Sequence, residues 1–175
     1  LEPAHYLTIN IETKTSSINR YWDLKYSPQK NYSLQDASEI LREKLFEAVK
    51  IRMISDVPLG ALLSGGVDSS IIVGIMSELS NKQVHTFSIG FEEESYDETR
   101  YADQIANKFG TKHKRLVVKP NAIDVVPKLA YHLDEPMGDS SALPTYYVCK
   151  MSKEHVTVVL NGDGGDEVFS GYNRY

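Results

Sequence analysis

The chain lacks most of the features that mark secreted, membrane-bound or nucleic-acid-binding proteins. Its 175 residues include one cysteine, Cys149, so no disulfide can form within the chain. No apolar run approaches the ~20 residues of a membrane-spanning helix, and no signal-peptide pattern opens the sequence. Acidic residues outnumber basic ones by 24 to 19, whereas non-specific nucleic-acid binding needs a basic surface. We therefore expect a cytoplasmic protein whose partners include neither membrane nor nucleic acid.

Zinc and thiol chemistry also have little support. The five histidines are scattered and form no pair at the spacing of zinc ligands. Cys149 lies in a helical pattern with no histidine placed to activate it. We expect it to be a half-buried core residue and not a nucleophile.

The composition is that of a globular domain. Hydrophobic residues make up 41% of the chain and charged residues 25%, and the length suits one domain, or one domain plus a fragment. Leu1 is not a methionine, and Tyr175 lies a few residues into an expected helix. These ends lead us to expect a piece of a longer protein.

The periodicity of apolar residues predicts an α/β fold, in which a parallel sheet carries helices on both faces and a short β segment precedes it. A linker is expected at 26–32, and Ser33 is placed to cap the helix that follows. Strands are expected at 5–9, 19–24, 59–63, 84–91, 113–118 and 156–160, and a loop at 12–18 joins the first two. The strand at 156–160 is apolar enough to lie at the centre of the sheet. Helices are expected at 34–54, 68–79, 122–133 and 142–153, and another from 167 onward. A further helix is expected to begin at a capping box formed by Ser95 and Glu98 and to end at residue 109.

The segment 64–70, SGGVDSS, stands between an expected buried strand and an expected helix. Glycines at such a turn let backbone N–H groups approach an anion, and the helix start adds free N–H groups and a positive dipole end. The serines add hydroxyls, and Asp68 adds a carboxylate where Mg²⁺ bound to phosphates would need one. The segment is not a Walker A loop, because Gly66 and Val67 stand where lysine and serine or threonine are required. It resembles the SGGxDS motif of the PP-loop ATP pyrophosphatases, which hold the pyrophosphate of ATP and attack its α-phosphorus.

A second glycine-rich turn, NGDGGDE at 161–167, also follows an apolar strand and precedes a helix. Three glycines in four positions suit a backbone that lies against a ligand. Three nearby acidic side chains repel one another unless a cation or a proton donor lies among them. Both turns are expected at the carboxyl edge of a parallel sheet, where ligands bind. We therefore expect Asp68 and Asp166 to hold one Mg²⁺ between them.

The two turns, about a hundred residues apart, together resemble the synthetase domain of glutamine-dependent asparagine synthetases, a group with the PP-loop, adenine nucleotide alpha-hydrolase-like fold. The resemblance covers nearly the whole chain. It implies that residues 1–32 are the tail of an N-terminal glutaminase-type domain plus a linker, and that residues 33–175 are the N-terminal part of an ATP-dependent synthetase domain, truncated at its C-terminus. The segments that carry it are RYWDL (20–24), HTFSIGF (85–91), YDETRYADQIANKFGTKH (96–113), DEPMGDSSALPTYYV (134–148) and NGDGGDEVFSGYNRY (161–175).

The resemblance also implies roles for individual residues. Pyrophosphate and Mg²⁺ would be held by Ser64, Gly65, Gly66, Val67, Asp68, Ser69 and Ser70, with Asp166 as a further metal ligand. Adenosine would be contacted by Leu62 and Ile89, and the nucleotide by Asn161 and Gly162. Asp68 and Asp163 would be catalytic, although Asp163 stands where some family members carry the longer glutamate, so a water-bridged contact is an alternative. Amino-acid binding is expected from Glu135, Asp139, Ser140 and Ser141, for which a capped turn before a helix is an equal alternative.

The implied reaction is AMP-forming amide synthesis. The β-carboxylate of aspartate would attack the α-phosphorus of ATP, and ammonia would convert β-aspartyl-AMP into asparagine. The ammonia would come from glutamine through an N-terminal domain outside this chain. Two alternatives stay open: another amide- or lactam-forming PP-loop synthetase, similar to the β-lactam synthetases, and a nucleotide-binding fragment that is inactive on its own. The oligomeric state is open, with a homodimer as one candidate.

Overall fold

The computed structural model describes residues 1–25, 31–91, 99–118, 122–135 and 137–172. Internal contacts divide the chain into two units, Leu1–Ser38 and Glu39–Tyr175. Among the described residues, no helix combines the length and the apolar character that a bilayer crossing requires.

The first unit contains an antiparallel hairpin of β1 (His5–Asn10) and β2 (Thr15–Arg20), in which Leu7 pairs with Ile18. The expected second strand at 19–24 and loop at 12–18 were therefore wrong. The side-chain oxygen of Asn10 accepts hydrogen bonds from the backbone N–H groups of Glu12 and Thr13 at 3.0 and 2.9 Å. These bonds close a short turn, so strand pairing resumes at Thr15, inside the expected loop.

Helix α1 (Leu34–Arg52) begins at the predicted cap. The Asp36 N–H donates to Ser33 Oγ at 3.1 Å, and the Ser33 hydroxyl donates to the Asp36 carboxylate at 2.7 Å. The serine thus satisfies one of the free N–H groups of the first turn.

The second unit is built on a four-stranded sheet in the order β5-β4-β3-β6, with every described pair parallel. The α/β fold with a parallel sheet is confirmed. After α1, the elements are β3 (Leu59–Leu62), α2 (Val67–Leu79), β4 (His85–Phe91), α3 (Thr99–Phe109), β5 (Lys112–Val118), α4 (Ala122–Leu133), α5 (Ala142–Ser152), β6 (Val158–Leu160) and α6 (Gly165–Phe169). The capping box of Ser95 and Glu98 lies outside the described residues.

Two apolar clusters lie on opposite faces of this sheet. In β3, Ala61 belongs to one cluster and its neighbour Leu62 to the other, and successive side chains of a strand point to opposite faces. The first cluster takes buried residues from α1, α2 and α3, whereas the second takes Val148 of α5. Helix α4 contacts α5. Helices therefore cover both faces, as predicted.

Three local expectations were wrong. Strand β6 is shorter than 156–160, because the Val156 N–H bonds the Ser152 carbonyl at 2.9 Å and so belongs to the turn after α5. Among the described strands, β6 lies at an edge of the sheet and not at its centre. Helix α6 begins at Gly165 and ends after five residues, where Ser170 adopts a φ of 57°. Cys149 is exposed, since its neighbour Val148 is the residue that faces the core.

Candidate functional site

The first glycine turn connects β3 to α2 in a conformation that requires glycine. Gly65 has a φ of 90°, and a Cβ there would lie 2.6 Å from both the Ala102 nitrogen and the Tyr101 Cβ at the start of α3. Gly66 is the N-cap of α2 and offers no side-chain cap. The N-cap residue therefore provides no side chain to bond the N–H groups in the first turn of α2. Such N–H groups at a helix start can bind an anion.

The serines of this turn hold it against α2. Ser69 is buried, and its Oγ lies 2.9 Å from Ser64 Oγ and donates to the Gly66 carbonyl at 3.2 Å. The Ser70 hydroxyl donates to the same carbonyl at 2.7 Å. In turn, the Gly66 N–H donates to Ser64 Oγ at 3.2 Å. The loop thus has a defined shape, set by its own hydroxyl groups.

The second glycine turn packs directly on the first. A Cβ on Gly162 would lie 2.8 Å from the Ser69 nitrogen and 2.9 Å from the Asp68 Cβ, while Gly165 lies against the Asp68 carboxylate. On the same turn, Asn161 Nδ2 donates to Asp163 Oδ2 at 2.6 Å. Residues separated by about a hundred positions in sequence therefore share one site.

A cleft of about 770 Å³ opens at this junction, at the carboxyl ends of β3 and β4. Most of the predicted ATP and metal residues line it. They are Leu62, Ser64, Gly66, Val67, Asp68, Ser69, Ile89, Asn161, Gly162, Asp163 and Asp166.

Two predicted residues of the first turn do not line this cleft. Gly65 and Ser70 instead border a groove of about 870 Å³ formed by α2 and α3. The reason is geometric: Gly65 is turned toward α3, and the Ser70 hydroxyl is directed to the Gly66 carbonyl. Their assignment to pyrophosphate stays a prediction.

The four residues predicted for amino-acid binding also lie outside the cleft lining. Asp139 Oδ1 accepts the Ser141 N–H at 2.8 Å, and this bond lowers the pKa of the exposed Asp139 carboxyl. The contact closes a turn before α5, whose N-cap Ser141 makes no side-chain cap. For Glu135, Asp139, Ser140 and Ser141, a role in substrate binding stays a prediction.

Several lining residues were missed by sequence reasoning. They are Leu63, Phe87, Ser88, Pro144, Thr145, Val148, Gly165, Phe169 and Gly171. Phe87 and Ser88 belong to the 85–91 segment, and Pro144, Thr145 and Val148 to the 134–148 segment, so the regions were identified but the side chains were not. The missing information was that α5 packs over β4.

The charge of the cleft is negative. Asp68, Asp163 and Asp166 line it, and no lysine, arginine or histidine does so among the described residues. Within the described part of the chain, the carboxylates of Asp68 and Asp166 have no hydrogen-bond or ion-pair partner. Two unpaired carboxylates fit Mg²⁺, which takes one or two protein carboxylates and completes its shell with phosphate and water. No described group of three or more acidic, histidine or cysteine side chains forms a self-sufficient metal site.

The parallel sheet, the two glycine turns at its carboxyl edge and the helix start between them define an α/β protein of the PP-loop type. The same fold is found in the glutamine-dependent NAD⁺ synthetase of Acinetobacter baumannii, solved in complex with ADP, with a TM-score of 0.56 over 94% of this chain and 31% of that chain at 17% identity.

Within that class, the chain belongs to the asparagine synthase family, whose model matches residues 40–175. It is 45% identical to the putative asparagine synthetase [glutamine-hydrolyzing] 2 of Methanocaldococcus jannaschii, over 98% of this chain and 33% of that protein. It is 36% identical to asparagine synthetase [glutamine-hydrolyzing] 1 of Bacillus subtilis, over 100% of this chain and 27% of that protein. The chain therefore spans a third or less of the length of these relatives.

Proposed function

We propose that this chain forms the ATP-binding part of an asparagine synthetase, which activates the aspartate β-carboxylate as β-aspartyl-AMP and transfers ammonia from glutamine to it. The observation that carries the proposal is the packing of Gly162 on Asp68 and Ser69, which joins the two glycine turns into one cleft. Family membership and the names of the relatives support the substrate assignment.

In this proposal the first turn binds the phosphates of ATP. The start of α2 presents N–H groups without a side-chain cap at Gly66, and the positive end of the helix dipole points to the same place. Leu62 and Ile89, which line the cleft, would contact adenosine. The site then positions the α-phosphorus for attack and neutralises charge that develops there, which is most of what phosphoryl-transfer catalysis needs.

Asp68 and Asp166 would hold Mg²⁺, which offsets the negative charge of the phosphates and of the departing pyrophosphate. Without a cation, two unpaired carboxylates facing a polyphosphate would oppose its binding. Asp163 has one carboxylate oxygen engaged by the Asn161 amide. Its other oxygen is directed to the reaction in this proposal, either directly or through one water.

We also propose the division of the chain suggested by the family resemblance. Residues 33–175 would form the N-terminal part of the synthetase domain, and residues 1–32 the end of a glutaminase-type domain with its linker. The start of the family match at residue 40 and the boundary of the two compact units after Ser38 lie close to this division. A cytoplasmic location and a homodimer both stay predictions.

The test is aspartate-dependent exchange of pyrophosphate into ATP by the full-length protein, run against a panel of other carboxylates. Exchange that requires aspartate is expected. Asp68→Asn keeps the shape of the side chain but removes its charge, and we expect it to lower exchange by about 100-fold or more, the usual effect of losing one transition-state charge partner. Asp56→Asn is the matched control, because Asp56 is an exposed carboxylate that precedes the amino end of β3.

Two results would contradict the proposal. Exchange supported only by a different carboxylate would overturn the asparagine assignment. Normal Mg²⁺-dependent turnover by Asp68→Asn would mean that the phosphates lie elsewhere.

A further inference from the structure

A polar cluster lies on the face of the sheet that α3 covers. His113 of β5 pairs in register with Thr86 of β4. Its imidazole Nδ1 lies 2.9 Å from Thr86 Oγ1, and its Nε2 lies 3.1 Å from Ser88 Oγ. Thr86 is 0% exposed and Ser88 is 3% exposed. The imidazole therefore joins two buried hydroxyl groups of the neighbouring strand.

The surroundings of His113 hold the ring in place. Oδ1 of Asp103, on α3, lies 3.6 Å from His113 Nε2. Oδ2 of the same carboxylate accepts a hydrogen bond from the Arg115 guanidinium at 2.9 Å. Burial lowers the pKa of His113, and its attraction to Asp103 opposes this only in part. A neutral imidazole offers one donor and one acceptor, so it can bond both hydroxyl groups in either tautomer.

Ser88 is the one member of this cluster that also lines the nucleotide cleft, where it stands beside Ile89. Within the described residues, His113 is the hydrogen-bond partner of its hydroxyl. A hydroxyl can donate one bond and accept two. The bond to His113 therefore fixes the oxygen of a residue that lines the cleft, and it leaves this oxygen able to form a further hydrogen bond.

We propose that Ser88 is a further nucleotide-binding residue of the cleft, and that His113 is the positioning residue that holds the Ser88 hydroxyl toward the nucleotide. The identity of the nucleotide as ATP rests on the proposed function. The competing interpretation is that the cluster only joins β4 to β5 and α3. In that case, substitutions in the cluster would lower the Tm without a selective effect on the KM for ATP.

The full-length protein is tested with Ser88→Ala, His113→Asn, His113→Gln and the double variant Ser88→Ala/His113→Asn. Asparagine places its amide near the position of Nδ1 and so keeps the contact with Thr86, whereas glutamine reaches the position of Nε2 and Ser88. Ser152→Ala is the matched control, since Ser152 is 4% exposed and bonds the Cys149 carbonyl away from the cleft. The KM for ATP, the KM for aspartate, kcat in the exchange assay and the Tm are measured for each.

Ser88→Ala is expected to raise the KM for ATP about three- to tenfold, the effect of one hydrogen bond, with the KM for aspartate unchanged. His113→Asn should match Ser88→Ala, and His113→Gln should stay near the wild type. The double variant should be no worse than Ser88→Ala, because both changes remove the same interaction. Ser152→Ala should leave the KM for ATP unchanged.

An unchanged KM for ATP in folded Ser88→Ala would overturn the inference. If His113→Asn and His113→Gln raise the KM for ATP equally, and in proportion to the fall in Tm, the cluster has a structural role only. Absence of aspartate-dependent exchange in the wild type would instead refute the proposed function. The calorimetric Kd of Mg-ATP for the same variants would then decide the role of Ser88 by itself.

Discussion

Replacement of Gly162 by alanine tests the contact on which the candidate site depends. The added Cβ would lie 2.8 Å from the Ser69 nitrogen, 2.9 Å from the Asp68 Cβ and 3.0 Å from the Asp68 carbonyl carbon. Two of these atoms are backbone, so no side-chain rotation relieves the overlap. To restore the 3.4 Å of an ordinary contact with the Ser69 nitrogen, the two turns must separate by about 0.6 Å.

Overpacking of this kind costs about 1–3 kcal/mol. The separation displaces Asp68 and Ser69 from Asn161 and Asp163, which lie across the same cleft. If the cost is expressed in ATP binding, the affinity falls about 5- to 150-fold. The KM for ATP in the exchange assay and the Kd of Mg-ATP by calorimetry measure this directly.

Gly74→Ala is the matched control. Its Cβ would lie 2.9 Å from Phe109 Cζ, but this atom is the end of a side chain that is 36% exposed and can move away. Alanine also favours the interior of α2 by about 1 kcal/mol over glycine. We expect an unchanged KM for ATP and an equal or higher Tm. Wild-type affinity and Tm in Gly162→Ala would show that the turns do not meet as described, and would remove the basis for the site.

Two further predictions concern stability. Burial lowers the pKa values of the His85 and His113 side chains below 6.5 in the folded protein. As the pH falls, these histidines are therefore protonated more readily in the unfolded chain than in the folded protein. The free energy of unfolding should consequently fall as the pH drops below 6.5. Urea unfolding at pH 7.5 and 5.5 measures this, and a pH dependence that His113→Gln leaves undiminished would contradict the assignment to His113. Ser33→Ala should lower the free energy of unfolding by about 1 kcal/mol, because it removes the cap bonded to the Asp36 N–H. Ser38→Ala, which removes a hydroxyl bonded within α1, should have little effect in the same measurement, and equal losses in the two variants would refute the capping argument.

The helix and strand pattern of the second unit followed closely from the sequence because those elements are long and periodic. Helix α4 was predicted at its observed bounds, and α2 to within one residue at its start. The errors fall where a few local hydrogen bonds outweigh the apolar pattern. The Asn10 side chain closes the hairpin turn earlier than expected. The Ser152 carbonyl accepts a hydrogen bond from the Val156 N–H, at the start of the expected last strand.

The candidate site was predictable to a similar degree and for a related reason. The residues of both glycine turns are contiguous in sequence, so their chemistry could be recognised without coordinates. Ser88, Thr145 and Phe169 reach the cleft from separate elements. Nothing in their local sequence distinguishes them from other residues of a strand or helix.

The sequence by itself determined the order of elements, the two glycine turns and the carboxylates placed beside them, because each depends on a short run of residues and its immediate neighbours. The tertiary structure alone decided that Gly162 meets Ser69, that Ser88 lines the same cleft, and that His113 bonds the Ser88 hydroxyl. These contacts depend on the strand order and on the register between β4 and β5. Strand order and register are set by packing on both faces of the sheet, which brings together residues that are distant along the chain.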